Sequence, residues 1–379
     1  MNTIRHADPG KRSQHQPRTK PLNVLVVDDS AVVREVLTAV LSAEIGVTVT
    51  TAADPLIAMA KMDRVRPDVM LLDLEMPRMD GLTFLRKIMA EDPIPVVICS
   101  GVAAAGTESA MRALEEGAVE IITKPKLGVR DFLIESAVLL SDTVWAASQA
   151  RLSHRLPAPF RTSPLPSAPL QSPAISHARS VLPSNKIIAI GASTGGTEAL
   201  RFLFKRLPPD CPGIVVVQHM PEGFTAAFAR RLNETCALEV KEAEDGDTVI
   251  SGRALIAPGN RHMLVNRAGG NYTVEVAGGP LISRHRPSVD VLFRSVARAA
   301  SAAAIGVILT GMGSDGAEGL LEMKRAGCRT IAQDEATCVV FGMPKESIAR
   351  GAVDEVLPLS GIPESIIARL SARTGSLKK

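Results

Sequence analysis

The chain has 379 residues, of which 46% are hydrophobic and 22% charged, and its formal net charge is +3. This length suits two domains with separate cores, and the composition is typical of soluble α/β proteins. The small net charge argues against nucleic acid or a membrane surface as a partner. No apolar run reaches the roughly 18 residues of a membrane-spanning helix, so membrane insertion is not expected.

The five cysteines are scattered without zinc-ligand or redox spacing, which favours a reducing compartment. Residues 1–21 are polar and basic and lack the apolar stretch of a signal peptide, so we predict a disordered N-terminal tail. Together these features predict a cytoplasmic protein.

Residues 22–148 alternate apolar runs with helical patterns, for example at Ala31–Leu41 and Leu82–Met89. The apolar runs, read as buried parallel strands, are Val24–Val27, Val47–Thr50, Val69–Leu72, Pro95–Cys99 and Val119–Ile122. Five such βα units predict a flavodoxin-like, doubly wound sheet with its site beyond the carboxyl ends of the strands.

Polar residues stand at several of these strand ends. Asp28 and Asp29 follow the first strand, Asp73 the third, Ser100 the fourth and Lys124 the fifth. Three carboxylates at one edge repel each other unless a hard cation is present, and Mg²⁺ with oxygen ligands fits best. Each aspartate taken alone is also compatible with a solvated turn or a helix cap.

Residues 149–184 separate this region from the next. From Arg151 to Ser184 there are seven prolines, seven serines and no acidic residue. Such a composition cannot bury enough apolar surface to fold, and it predicts a semi-extended linker.

Residues 185–374 alternate strands and helices again, which predicts a second α/β domain with a mostly parallel, Rossmann-like sheet, followed by a short tail at 375–379. Between Glu239 and Val276 the pattern favours short antiparallel strands. The predicted strands are Ile187–Ile190, Ile214–Gln218, Ala254–Ala257, Tyr272–Val276, Ile305–Leu309 and Arg329–Ala332. The predicted helices are Thr197–Arg206, Glu222–Asn233, Val289–Ala300 and Ala317–Arg325.

Ser193 lies in a Gly-rich turn between the first strand of this domain and the helix that follows it. The pattern G-x-S-x-G, with a helix N-terminus behind it, is typical of an activated hydroxyl. A nucleotide-binding loop is the main alternative, but it needs an acidic residue at the end of the second strand. That strand ends in Gln218 and His219, which disfavours a nucleotide.

His219 is positioned to act as a general base for Ser193 if the two strands are neighbours in a parallel sheet. Asp315, in the second Gly-rich loop at Gly311–Gly316, is the candidate carboxylate that orients the imidazole, although an N-cap role is also open. His262 and His285 lie in loop-like contexts and are weaker candidates for the cleft. The order Ser, His, Asp differs from that of the α/β-hydrolases, which place the acid before the histidine.

Oxyanion or substrate contacts are expected from backbone groups beside the serine. The N–H of Met312 in the second Gly-rich loop is one candidate, and Thr194 and Gly195 at the helix start are the others.

The first domain resembles response-regulator receiver domains in the segments LVVDDSAVVR, LLDLEMPRMDG, VVICSG and IITKP. The resemblance implies that Asp73 accepts a phosphoryl group from a histidine kinase. It also implies that Asp28, Asp29 and Asp73 hold Mg²⁺ while Ser100 and Lys124 contact the phosphoryl group. Receivers usually carry an aromatic switch residue where this chain has Ile121.

The second domain resembles the chemotaxis protein-glutamate methylesterases (CheB) in the segments IGASTGG, VVQHMP, LTGMGSDGA and AQDEATCVVFGMP. The resemblance implies a triad of Ser193, His219 and Asp315, acting without a cofactor on γ-glutamyl methyl esters of chemoreceptors. It also implies deamidation of specific receptor glutamines. We expect the receiver to cover the catalytic cleft until Asp73 is phosphorylated.

Overall fold

The computed structural model describes residues 21–101, 103–124, 130–152 and 186–371. The predicted tails at 1–21 and 375–379 lie almost wholly outside these residues, as does the linker at 149–184 beyond Leu152. Their nature stays a prediction. None of the described helices combines the length and the apolar character needed to cross a membrane.

The first domain is a five-stranded parallel sheet with strand order β2-β1-β3-β4-β5. Its strands are β1 Leu22–Val27, β2 Val47–Ala52, β3 Val69–Leu72, β4 Val96–Ser100 and β5 Glu120–Thr123. Its helices are α1 Ala31–Ser42, α2 Pro55–Met62, α3 Gly81–Glu91, α4 Ala104–Glu115 and α5 Arg130–Ser148. This order confirms the predicted flavodoxin-like fold.

Successive residues of each central strand pack into different apolar clusters, one on each face of the sheet. In β1, Leu25 and Val27 pack with residues of α3 and α4, whereas Val24 and Val26 pack with residues of α1 and α5. Because successive side chains of a strand point to opposite faces, a strand buried on both faces must be apolar throughout. The sheet is therefore covered on both sides, and its functional groups are left at the strand ends.

The second domain contains a seven-stranded sheet of order β15-β14-β13-β6-β7-β10-β8 and a small sheet of order β11-β12-β9. Its strands are β6 Ile187–Ala192, β7 Gly213–Gln218, β8 Glu239–Glu242, β9 Thr248–Val249, β10 Arg253–Ile256, β11 His262–Ala268, β12 Asn271–Ala277, β13 Ala304–Ile308, β14 Arg329–Gln333 and β15 Glu355–Leu357. Its helices are α6 Gly196–Phe204, α7 Phe224–Thr235, α8 Val289–Ala300, α9 Ala317–Arg325, α10 Met343–Ala349 and α11 Ile362–Ser371.

All neighbours in the seven-stranded sheet are parallel, as predicted. The expectation of antiparallel strands between Glu239 and Val276 is correct for β9, β11 and β12 but wrong for β8 and β10. β8 is an edge strand with partly exposed polar residues, so its sequence lacks the continuous apolar run of a central parallel strand.

In the strand order, β7 lies next to β6 on one flank, and the chain later returns to place β13 next to β6 on the other flank. The carboxyl ends of β6 and β13 therefore flank the point where the winding reverses, which is where open α/β sheets bind their ligands. Ser193 follows β6 directly, and the second Gly-rich loop follows β13.

Candidate active site

Ser193 is held by backbone contacts at the carboxyl end of β6. Its N–H donates to the carbonyl of Thr310 at 3.0 Å. The side-chain amide of Gln218 donates to the carbonyls of Ser193 at 3.0 Å and of His219 at 3.1 Å. Gly311 packs so closely that a Cβ there would lie 2.7 Å from the Cβ of Ser193. These contacts fix the loop after β6 and the loop after β13 around the serine.

Asp315 is fully buried and binds the imidazole of His219, with Oδ2 at 2.8 Å from Nε2. The same carboxylate accepts hydrogen bonds from the Ser288 hydroxyl at 2.7 Å and from the N–H groups of Val289 at 2.7 Å and Asp290 at 3.1 Å. These donors form the N-terminus of α8, where negative charge is stabilised. Burial opposes ionisation, but the hydrogen bonds and the histidine lower the pKa of Asp315 to about 2.

The other ring nitrogen of His219, Nδ1, is buried and has no hydrogen-bond partner among the described residues. Since the Asp315 contact assigns the ring proton to Nε2, Nδ1 is left with a free lone pair. The structure shows no hydrogen bond between this atom and the Ser193 hydroxyl. Such contacts are often long without substrate and shorten in the Michaelis complex.

The two weaker histidine candidates have different surroundings. His262 is buried, accepts the N–H of Ser288 at 3.2 Å on Nδ1 and contacts the carbonyl of Pro280 at 2.9 Å through Nε2. It supports the residue that in turn binds Asp315. His285 instead stacks on His219, with ring centroids 3.7 Å apart and an interplanar angle of 7°.

Three backbone N–H groups near Ser193 have no acceptor among the described residues, namely those of Thr194, Gly195 and Met312. Gly195 has a φ of +77°, which turns the chain sharply into α6. The three predicted oxyanion or substrate contacts therefore lie in the two loops that flank the serine.

In the first domain, Lys124 lies between two buried aspartates. Its Nζ is 2.7 Å from Oδ2 of Asp73 and 3.2 Å from Oδ2 of Asp28. Apart from this ammonium, the two Oδ2 atoms have no donor in the described part of the chain. Burial raises the pKa of Asp28. Burial opposes the charge on Lys124, but its contacts with Asp73 and Asp28 raise its pKa.

Carboxylate oxygens of Asp28, Asp29 and Asp73 lie within 4.8 Å of one another. Two buried oxygens that face only the Lys124 ammonium among the described residues, together with a third, exposed carboxylate, make a donor set that fits Mg²⁺. Ser100 is buried at the end of β4, on the same edge of the sheet. Ile121 is also buried, and it packs into an apolar core cluster.

The two domains are in contact. α4 of the first domain lies against α6 and α7 of the second. The carboxylate of Glu115 binds Arg231 with two contacts, at 2.7 and 2.9 Å. Asp142 of α5 binds Arg284 at 3.0 Å. Helices α4 and α5 thus hold the first domain over the carboxyl edge of the second.

This contact covers the serine loop. Met312 and Val339 pack against an apolar cluster of the first domain, and the side chain of Thr194 interacts with the buried carboxyl of Glu120. Burial raises the pKa of Glu120 to about 7, against smaller opposing effects of the Ile121 N–H and Thr194. Ser193 is left 7% exposed. The described arrangement therefore restricts access to the serine.

The contacts made by Gln218, Ser288 and Glu120 were not predicted from the sequence. Gln218 and Glu120 do leave a signal, because each is a polar residue at one end of an otherwise apolar strand. Ser288 reads only as a helix cap, which it also is.

Comparison with known proteins agrees with both halves of the chain. The CheB methylesterase family model matches residues 188–366, and the response regulator receiver domain model matches residues 24–130. The chain is 59% identical over 360 residues to protein-glutamate methylesterase/protein-glutamine glutaminase 5 of Anaeromyxobacter dehalogenans, covering 93% of this chain and 98% of that one. It is 55% identical over 347 residues to such a protein of Oleidesulfovibrio alaskensis, covering 91% and 98%.

Among solved structures, the catalytic domain of the Thermotoga maritima CheB methylesterase is 45% identical, with a TM-score of 0.48, covering 49% of this chain and 99% of that one. The identities over nearly full length to the curated relatives decide the assignment. This chain belongs to the protein-glutamate methylesterase/protein-glutamine glutaminase family, with a response regulator receiver domain followed by a CheB methylesterase domain.

Proposed function

We propose that this enzyme hydrolyses glutamate γ-methyl esters on the cytoplasmic helices of chemoreceptors, and deamidates specific glutamines there, through an acyl-enzyme on Ser193. The substrate classes follow from the names of the relatives. The observation that carries the mechanism is the buried Asp315–His219 contact beside Ser193, at the reversal point of the sheet.

In the first step Nδ1 of His219 accepts the hydroxyl proton as Ser193 Oγ attacks the ester carbonyl. Asp315 stabilises the imidazolium that forms and keeps the ring orientation. The N–H groups of Met312, Thr194 and Gly195 are the donors for the oxyanion.

In the second step the tetrahedral adduct collapses, and the leaving methoxide takes the proton from His219 and departs as methanol. Water then attacks the acyl-enzyme with His219 again as the base, which gives the γ-carboxylate of a glutamate residue in the receptor and regenerates the serine. Deamidation follows the same course with ammonia as the leaving group.

We further propose that Asp73 accepts a phosphoryl group from a histidine kinase. Asp28, Asp29 and Asp73 would hold Mg²⁺, which when bound offsets the negative charge of carboxylates and phosphoryl oxygens. Lys124 would move from the Asp73 carboxylate to a phosphoryl oxygen, and Ser100 would donate its hydroxyl. Phosphorylation would then weaken the contact that covers the serine.

The test is methanol release from methylated receptor by the full-length protein, with and without acetyl phosphate. Ser193→Ala should lose the rate by about 10⁴-fold or more, whereas Ser360→Ala, which replaces an exposed serine, should keep it. Acetyl phosphate should raise the wild-type rate several-fold and leave Asp73→Ala unchanged. Methanol release by Ser193→Ala would contradict the assignment of Ser193 as the nucleophile. An equal response of Asp73→Ala to acetyl phosphate would contradict activation through phosphorylation of Asp73.

A further inference from the structure

The loop between β12 and α8 brings a second histidine to the catalytic site. Ile282 and His285 pair their backbones, with N–H to carbonyl distances of 3.1 and 2.9 Å. The two residues between them, Ser283 and Arg284, have φ values of +51° and +68°. Non-glycine residues in the left-handed region are uncommon, and two in succession mark a turn that its surroundings enforce.

This turn places the ring of His285 flat on His219, at 3.7 Å between centroids. Nδ1 of His285 contacts the carbonyl of Ser283 at 2.7 Å, so this nitrogen carries the ring proton. Four protein groups therefore contact His219: the Ala192 carbonyl accepts its N–H at 3.0 Å, and Gln218 donates to its carbonyl. Of the groups on the ring, Asp315 binds Nε2 and His285 packs on one face.

We propose that His285 is a positioning residue for the esterase reaction, holding the His219 ring in the plane in which Nδ1 faces Ser193. The proposal rests on the role of His219 given above. A hydrogen bond at Nε2 fixes one atom of the ring, and a parallel ring against its face fixes the plane. General base catalysis depends on such alignment of the donor and acceptor.

The electrostatic properties of His285 suit this role. Burial, followed by the nearby charge of His219, lowers the pKa of His285 to about 3, although Asp315 opposes the shift. The ring is therefore neutral at physiological pH. When His219 takes the serine proton, the resulting cation lies over a neutral aromatic face, a favourable arrangement, whereas a second imidazolium would repel it.

Parallel stacking also distinguishes this role from metal binding. His219, His285 and Asp315 offer three potential ligand atoms within 4.8 Å of one another. Rings stacked at 7° direct their nitrogen lone pairs along nearly parallel planes, whereas one cation needs them to converge. Three other hydrogen bonds already occupy the carboxylate of Asp315.

The experiment compares His285→Ala and His285→Phe in the full-length protein treated with acetyl phosphate, measuring kcat and KM for methanol release. The Ala variant removes the stacked ring, so we expect kcat to fall about tenfold with KM nearly unchanged. The Phe variant keeps a neutral ring without nitrogen and should recover most of kcat. Leu281→Ala, on the same loop but exposed, should behave as wild type.

A wild-type kcat in folded His285→Ala overturns the proposal. A folded His285→Phe variant as slow as the Ala variant also overturns it, because the ring nitrogen rather than the stack would then be required. Thermal melting checks folding. His219→Gln is measured in parallel: wild-type activity there refutes the assigned base, whereas its loss beside a normal His285→Ala refutes only the stack.

Discussion

Each of the two parallel sheets carries its candidate functional groups at its carboxyl edge, but the buried aspartates of the two sites differ in how many protein groups donate hydrogen bonds to them. In the second domain Asp315 accepts four hydrogen bonds from protein groups, and its pKa is lowered to about 2. In the first domain Asp28 and Asp73 each accept one backbone N–H, and burial raises the pKa of Asp28. Their remaining oxygens face Lys124.

The candidate active site is therefore preorganised by protein hydrogen bonds, whereas the aspartates of the first domain have few protein donors to fix them. Asp315 is ionised and oriented by its own domain, so the catalytic site needs only access to substrate. The remaining oxygens of the receiver aspartates face only the Lys124 ammonium, so under the proposed function their geometry depends on the binding of a cation and a phosphoryl group. Under the proposed function, phosphorylation can therefore change the contact that covers Ser193 while the groups of the candidate active site stay fixed.

The largest effect that tests this comparison is expected from Asp315→Asn. The amide cannot stabilise the imidazolium, and it favours the wrong histidine tautomer, so kcat should fall by about 10³–10⁴-fold. One of its atoms would also face a donor at the start of α8, which should cost about 1–3 kcal/mol of stability. Methanol release and thermal unfolding of the same preparation measure the two effects.

Asp290→Asn is the matched control. Asp290 is also buried at the start of α8 and accepts the N–H of Gly319 at 2.7 Å, but it does not contact His219. It should lose stability with little change in kcat. An equal loss of kcat in the two variants would mean that α8, rather than the carboxylate on His219, sets the rate.

The fold was predictable because both domains consist of apolar strands buried on two faces. Such strands leave continuous hydrophobic runs, as in Val69–Leu72 and Ile187–Ala192. The edge strand Glu239–Glu242 has no such run, and its parallel pairing with β10 depends on tertiary contacts. The helices α10 and α11 were not predicted, because segments of seven and ten residues are short for the hydrophobic periodicity that predicts a helix.

The positions of the candidate site residues were predictable where a strand end fixes them, as for Ser193 and His219. The stack of His285 was not, because it depends on two left-handed residues, Ser283 and Arg284, that no local pattern requires. The contact of Glu120 with Thr194 joins residues 74 positions apart in different domains. This contact forms only where the two domains pack together, so the local sequence around either residue does not indicate it.

Glu120 gives the second prediction, which concerns the pH dependence of the contact by which the first domain covers the Ser193 loop. Burial raises its pKa from 4.5 to about 7, so the closed arrangement favours the protonated form. Closure is therefore most stable below about pH 4.5 and weakens as the pH rises through about 7, to the extent that the second domain causes the burial of Glu120. Glu120→Gln, a neutral isostere, should stay closed across this range.

Trp145 offers a readout independent of catalysis. It is the only tryptophan of the chain, and it lies buried in the cluster against which Met312 and Val339 pack. Its fluorescence should change between pH 5 and 8 in the wild type and much less in Glu120→Gln. Glu116→Gln, which breaks a pair with Arg86 inside the receiver, should follow the wild type. A wild-type pH response in Glu120→Gln would exclude this carboxyl as the cause.

The smallest effect is expected at the Glu115–Arg231 pair between the domains. Both side chains are partly exposed, at 30% and 44%, so solvent screens the interaction. Such pairs contribute about 0.2–1 kcal/mol, and Glu115→Gln should raise the basal esterase rate of unphosphorylated protein by no more than about 5-fold. The difference from wild type should shrink as salt is added.

Glu234→Gln is the control, because Glu234 binds the same Arg231 at 3.2 Å from within the second domain. Removing it leaves the contact between the domains intact, so the basal rate should not rise. If Glu115→Gln and Glu234→Gln raise the rate equally, the effect belongs to Arg231 or α7 itself. If neither changes the rate while Glu120→Gln alters closure, the buried carboxyl and the apolar contacts of Met312 and Val339 hold the cover, and the surface ion pair only orients it.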